Sequence, residues 1–237
     1  MSYTQGNLGG ARTRTLRAVE LARSADDRTV VVQGENLLGH IEHASGNAAR
    51  AGELFTRSVE GFKSLGVAWG TGNALIGKAG VALAFGDTAQ AERLLDEATA
   101  TLRETGPWFL NLPLYIRAIL AVRREDADAA IAYVRETVTC SRQLHDRFAF
   151  VYALIPLAAA AALKGNEVWV AKILGARDAI TERTATTMSD KSVRDLRERA
   201  EIQARARLTA DGWSRAYAAG RSASIDSLLR DIESALP

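Results

Sequence analysis

The sequence predicts an all-α, right-handed helical-repeat solenoid closed by a helical C-terminal cap, and three observations carry that expectation. First, the turn Gly46-Asn47 recurs as Gly86-Asp87, Glu125-Asp126 and Gly165-Asn166, at spacings of 40, 39 and 40 residues, with a fainter copy at Gly6-Asn7. A fixed period of this size, flanked by helix-like sequence, marks a helical array. Second, 47% of the 237 residues are hydrophobic and only 4 are proline, which suits a folded, helix-rich chain and argues against disorder. Third, alanine supplies much of the apolar content. Its helix propensity and small bulk favour thin helices in close contact over a sheet core.

Taken in order, residues 1–26 read as a partial unit with a helix from about Ala11 to Ser24. Its partner helix is missing, so either the chain was cut from something longer or the array opens on a single capping helix. Unit one, about 28–66, pairs helices at 28–44 and 47–64, with Gly66 as the stop. Unit two, about 67–106, pairs 67–85 with 88–104; Asp87 or Thr88 caps the second helix and Gly106-Pro107 ends it. Unit three, about 107–145, pairs 108–123 with 126–144, and unit four, about 146–186, pairs 147–164 with 166–184. Pro113 and Pro156 fall inside first helices, where a lost backbone donor predicts a kink. The periodicity stops near Ser189. Residues 187–237 read as a cap of three helices, about 190–208, 211–219 and 224–235, with Ser189 and Ser224 at two starts. Such a cap covers the apolar face of the last repeat.

Aligning the units on their turns gives three columns. Seven residues before the turn stand Gly39, Ala79, Ala118 and Ala158; five after it, Ala51, Ala91, Ala130 and Val170. Small residues at both positions let the two helices of a unit approach closely. Nine after the turn stand Phe55, Leu95, Val134 and Leu174, large side chains that fill the space between units. This order resembles the tetratricopeptide repeat, with Leu38-Gly39, Gly46-Asn47, Ala51, Phe55 and Ser58 at its consensus spacing. The period near 40 instead of 34, and the missing proline at each unit's end, depart from it. Longer helices explain the period; a HEAT-like array is the alternative.

Two segments carry a narrower resemblance: Ala171-Lys172-Ile173-Leu174-Gly175-Ala176, and the stretch from Trp213-Ser214-Arg215-Ala216-Tyr217 through Gly220 to Leu228-Leu229. With the lengthened repeats, these resemble the C-terminal repeat region of bacterial LuxR-type and related signal-transduction ATPase regulators. The resemblance implies a region that receives an inducer or a protein, while a separate nucleotide-binding module and helix-turn-helix respond. Neither output pattern is visible in this sequence, so activity on DNA or ATP is not carried over.

The charges narrow the function classes further. Thirty basic and 28 acidic residues leave a net charge of +2, interleaved along the chain, so no single-sign field steers it to nucleic acid or anionic lipid. Cys140 is the only cysteine, which rules out an internal disulfide and suits a reducing, cytoplasmic setting. The longest apolar run, Phe148 to Leu163, is shorter than the roughly 18 residues of a membrane span. Gly72 to Ala79 matches G-x-x-x-x-G-K, yet it lies in a first helix and ends in alanine where a phosphate loop needs a hydroxyl for magnesium. His40 and His43 share a helical face, but the third histidine, His145, is far along the chain, so a metal site is not expected. No cofactor is implied, and Cys140 lacks a base to activate it.

The groove is the strongest candidate site. First helices of such arrays line the concave surface, and positions i, i+4, i+7, i+11 and i+14 share a face. In unit one these are Thr29, Gln33, Asn36, His40 and His43, and in unit two Trp69, Asn73, Ile76, Gly80 and Leu83. Unit three contributes Trp108, Leu112, Tyr115, Ile119 and Val122, and unit four Phe148, Tyr152, Ile155, Ala159 and Ala162. Trp69, Trp108 and Phe148 form a ring of aromatics at one end, beside amides and phenols, a mixture that recognition surfaces favour. The competing reading is that these aromatics only pack unit against unit. The expected function is non-catalytic: a groove that binds a peptide, a protein or a small inducer. Two other classes stay open, an enclosing enzyme or carrier in which His40 or Tyr115 acts as acid or base, and a scaffold that self-associates through its N-terminal edge.

Overall fold

The computed structural model describes residues 7–144, 147–184, 191–224, 227, 228 and 230. Among these residues the chain is all-helical, with no strand. The α-helices are α1 (Leu8–Ser24), α2 (Arg28–Ala44), α3 (Ala48–Ser64), α4 (Ala68–Ala84), α5 (Thr88–Arg103), α6 (Asn111–Arg123), α7 (Ala127–Leu144), α8 (Arg147–Leu163), α9 (Glu167–Thr184), α10 (Lys191–Arg207) and α11 (Ala210–Ser222). A 3-10 turn, Pro107–Phe109, precedes α6. The chain divides into two compact units, Met1–Phe109 and Leu110–Pro237.

The links between helices obey a shorter period than the sequence alignment uses. Left-handed backbone occurs at Asp26, Gly46, Gly66, Gly86, Gly106, Glu125 and Gly165. The first five are 20 residues apart. The 40-residue unit is therefore two steps of one helix plus one link. Glycine enters the left-handed region without steric penalty, which is why it holds five of these seven positions. The residue that follows caps the next helix: Asp27 accepts from the Val30 amide at 3.0 Å, Asp87 from Gln90 at 2.8 Å and Asp126 from Ala129 at 3.0 Å. Each such cap is worth about 1 kcal/mol. Asn47 differs. Its amide donates to Glu42 Oε2 at 2.7 Å, tying the end of α2 to the start of α3.

All three columns read from the turns are buried. Ala51, Phe55, Ala79, Ala91, Leu95, Ala118, Ala130, Ala158, Val170 and Leu174 have no exposed surface, and Val134 is nearly as deep. In the first unit the packing rule is a large side chain seated on a glycine. A methyl group at Gly39 would come within 2.8 Å of the Phe55 ring, and one at Gly77 within 2.3 Å, so the ring lies against both α2 and α4. Phe62 sits on Gly70 and Leu102 on Gly72 in the same way. The glycines of the Gly72–Ala79 stretch are thus helix-packing surfaces within α4.

In the second unit the alanine-rich α8 lies at the centre, with Leu154, Leu157, Ala158, Ala160 and Ala161 fully buried. Consecutive helices pack pairwise from α6 to α9. Then the order changes: α10 touches α8 and α9, and α11 packs on α9. Adding a Cβ at Gly175 would bring it to 2.1 Å from the Tyr217 carbonyl oxygen, and one at Gly220 to 1.9 Å from that of Lys172. Here two helix backbones touch. Asp178 on α9 binds this layer together, accepting from Tyr217 Oη at 2.9 Å and from Arg197 at 2.6 Å. Burial and the Asp178 carboxylate push the Tyr217 phenol above its ordinary value.

Several boundaries differ from expectation. The first helix of unit three starts at Asn111, after the 3-10 turn, so Pro113 falls in the first turn of α6. A first-turn amide has no intrahelical acceptor, and proline there breaks nothing. Pro156 does lie inside α8, which continues through it. α1 begins at Leu8, capped by Asn7 on the Gly10 amide at 2.8 Å. Gly6, His145 and Ser189 lie outside the described residues, as does most of the expected helix 224–235.

Candidate functional site

The groove register of the first unit places α2 and α4 side by side, and three expected residues meet there. Asn36 Nδ2 donates to Asn73 Oδ1 at 2.7 Å, and His40 Nε2 lies 3.1 Å from the same oxygen. With Asn73 Oδ1 as the shared acceptor, His40 carries its hydrogen on Nε2. Its ring meets Phe55 edge-on, with centroids 4.8 Å apart. Burial lowers the His40 pKa below 6.5; the Asn73 hydrogen bond opposes this and the charge of His43 adds to it. The imidazole is neutral at pH 7, so the cluster is a set of uncharged donors and acceptors without a poised acid.

Two atoms of this cluster are out of balance. Asn36 is 8% exposed, and its Oδ1 is buried without a hydrogen-bond partner; so is Nδ1 of His43, two turns along α2. An unpaired buried polar atom costs about 1–3 kcal/mol.

At one end of this face stand aromatics. Trp69 packs on Phe62 at 5.8 Å and stacks on Phe109 at 6.1 Å, with 39% of its surface exposed. Trp108 is 67% exposed, but it sits in the 3-10 turn and not on a first helix, which corrects the register that began unit three at residue 108. Phe109, which that register left out, is the residue that stacks on Trp69. A two-residue run of aromatics after Gly106-Pro107 was the available signal. Gln33 lies exposed on α2.

In the second unit the equivalent first helices, α6 and α8, place Tyr115 against Tyr152, rings edge-on at 5.8 Å. Where α2 and α4 meet through amides, α6 and α8 meet through phenols. Phe148 belongs to α8, and its side chain lies outside the described set. Ile155, Ala159 and Ala162 are buried; Ile155 borders a cavity shared with α9 and α10, and Ala159 and Ala162 border another shared with α6 and α10. Cys140 is buried within α7. Among the described residues no three His, Cys, Asp or Glu side chains gather as a metal site requires, and no helix is long and apolar enough to cross a membrane.

One feature of the second unit escaped the groove register. Arg177 on α9 and Arg194, Arg197 and Arg205 on α10 line a common cavity. Sequence spacing places three of them on α10 but cannot bring Arg177 to them. No family model matches this chain, and no curated protein matches its sequence.

Proposed function

We propose that this chain is a non-catalytic binding module built as a tetratricopeptide-like solenoid, and that the α2–α4 face receives a peptide segment or a small inducer. The observation that carries the proposal is the Asn36–Asn73–His40 cluster. It sets neutral amide and imidazole groups into a helix contact, and it leaves Asn36 Oδ1 and His43 Nδ1 unpaired. Groups kept at that cost suit recognition of a partner's backbone amides, with Trp69, Trp108 and Phe109 offering apolar area beside them. The paired helices, the 20-residue links and the buried columns support the repeat assignment. Support for a role as the sensing part of a bacterial transcriptional regulator is narrower. The first segment that resembles such regulators lies in α9 and the second, as far as Ser222, in α11, and these helices pack on each other at Gly175 and Gly220.

The test is selection of random peptides displayed on phage against the full chain, followed by titration of the best binders. Asn73→Leu and the Trp69→Ala, Trp108→Ala double variant should each weaken binding at least tenfold, about 1.4 kcal/mol, with helicity retained. Selected peptides that bind both variants as tightly as wild type would refute the assignment. Unfolding of the double variant would make the tryptophans packing residues and remove them from the site.

A further inference from the structure

We infer that the cavity lined by α6, α8 and α10 in the second unit binds a single aliphatic α-amino acid in its zwitterionic form. The cavity exists because small side chains line it. Ala159 and Ala162 on α8 and Ala200 on α10 are buried, and none is large enough to fill the space between the helices. That space measures about 260 Å³, below the roughly 300–1,000 Å³ of sites for drug-sized ligands and on the scale of one amino acid. Val122 is buried beside the alanines, Leu196 is half-buried, and Leu163 is exposed. Walls of alanine, valine and leucine suit a branched aliphatic side chain.

The same cavity carries charges of both signs that nothing neutralises. Arg123 at the end of α6, Glu125 in the link after it and Arg199 on α10 are exposed, and none of their side chains has an ion pair or hydrogen bond among the described residues. Other charges of this unit are paired: Lys164 with Asp128, Arg207 with Glu167 and Arg221 with Glu182. Glu125 also holds left-handed backbone, φ 62°, at a link position that is glycine in five of seven cases. A glutamate there carries strain that glycine would not, so its carboxylate is kept against the preference of its own backbone. Gln203 adds a neutral acceptor. Its amide nitrogen donates to the Ala162 carbonyl at 3.1 Å, which fixes the amide and leaves Oε1 unengaged.

An α-amino acid answers each of these groups. Its carboxylate takes donors from the guanidiniums of Arg123 and Arg199, its ammonium gives donors to Glu125 and Gln203 Oε1, and its side chain enters the alanine-lined space. A simple carboxylate would meet Glu125 as a like charge, and a simple amine would leave both guanidiniums unanswered. None of these residues belongs to the α2–α4 cluster, so this site stands or falls independently of the proposed function.

The test uses the full chain and isothermal titration with four probes: L-leucine; isocaproate, which lacks its ammonium; isopentylamine, which lacks its carboxylate; and glycine, which lacks its side chain. Leucine should bind saturably at one site, with each of the others at least tenfold weaker. Arg199→Gln and Glu125→Gln, both exposed substitutions, should each weaken leucine at least tenfold with circular dichroism unchanged. Isocaproate binding as tightly as leucine would overturn the role of Glu125 and Gln203. Isopentylamine doing so would overturn that of the arginines, and glycine doing so would overturn that of the apolar walls. No saturable leucine binding at millimolar concentration, or unchanged binding by both variants, would overturn the site.

Discussion

Gly175→Ala tests the backbone contact between α9 and α11. Its new Cβ would lie 2.1 Å from the Tyr217 carbonyl oxygen, whereas real Cβ atoms essentially never come closer than 3.0 Å. The obstacle is main chain, so no rotamer change relieves it, and the two helices must separate by about 1 Å. A radial gap of that size forfeits roughly a quarter to a half of the dispersion energy of the contacts it opens. Trp213, Ala216 and Tyr217 on α11 all pack on the core and would lose part of theirs. Overpacking costs about 1–3 kcal/mol and sometimes more, and alanine in mid-helix returns about 1 kcal/mol of propensity. The expected net loss is about 2 kcal/mol, a fall in Tm of roughly 4–8 °C for a chain of this size. Urea unfolding followed by circular dichroism measures it. Gly9→Ala is the control: nothing lies within 4 Å of its Cβ, and it should leave stability unchanged or raise it by up to about 1 kcal/mol. Combining Gly175→Ala with Gly220→Ala should cost less than the sum, because both open one gap. A Gly175→Ala midpoint at or above wild type would refute the contact.

Other outcomes follow from single sites. Asn73→Leu removes the acceptor shared by Asn36 and His40 and should cost about 1–3 kcal/mol, while Asn36→Leu with Asn73→Leu should recover part of it; denaturant midpoints decide, and no cost from the single change would dissolve the cluster. Because the folded state holds His40 below 6.5, the unfolded chain takes up a proton first as the pH falls, so stability should drop below about pH 6.5, and His40→Gln should remove that component. Glu42, held below its ordinary 4.5 by hydrogen bonds from Arg12 and Asn47, loses its contribution as the pH falls through the acid range below that value, and Glu42→Gln should flatten the curve there. Glu125 occupies a left-handed position that glycine fills elsewhere, so Glu125→Gly should raise stability by up to about 1 kcal/mol in urea unfolding.

The fold was largely legible because its punctuation is written in glycine and Asx residues. Gly46, Gly86 and Gly165 announce their links through a backbone conformation that few residues tolerate, and the columns aligned on them are buried. Gly66 and Gly106 mark the intermediate links with the same backbone conformation, but Val67 and Pro107 follow them in place of an Asx residue, and so the 20-residue step was harder to see than the 40-residue one. In the candidate site, helical periodicity put Asn36, His40 and Asn73 on matching faces, and their hydrogen bonds follow from that. Periodicity failed at Trp108 because a 3-10 turn resets the phase before α6. The arginine cavity was invisible for a different reason. Arg177 reaches Arg197 only through the packing of α10 on α9, and no local pattern encodes that.

The 20-residue step between left-handed links restricts how the length of this chain can change. One residue inserted within a helix would rotate everything beyond it by about 100°, turning buried columns toward solvent. Loss of a whole helix and its link would preserve rotation yet exchange the roles of neighbours, seating a second-helix sequence where a first helix belongs. Only gains and losses of two steps together keep every residue in its role. Length variants of this protein should therefore differ by multiples of about 40 residues, and engineered arrays should be cut at Gly66 or Gly106 and not within a pair.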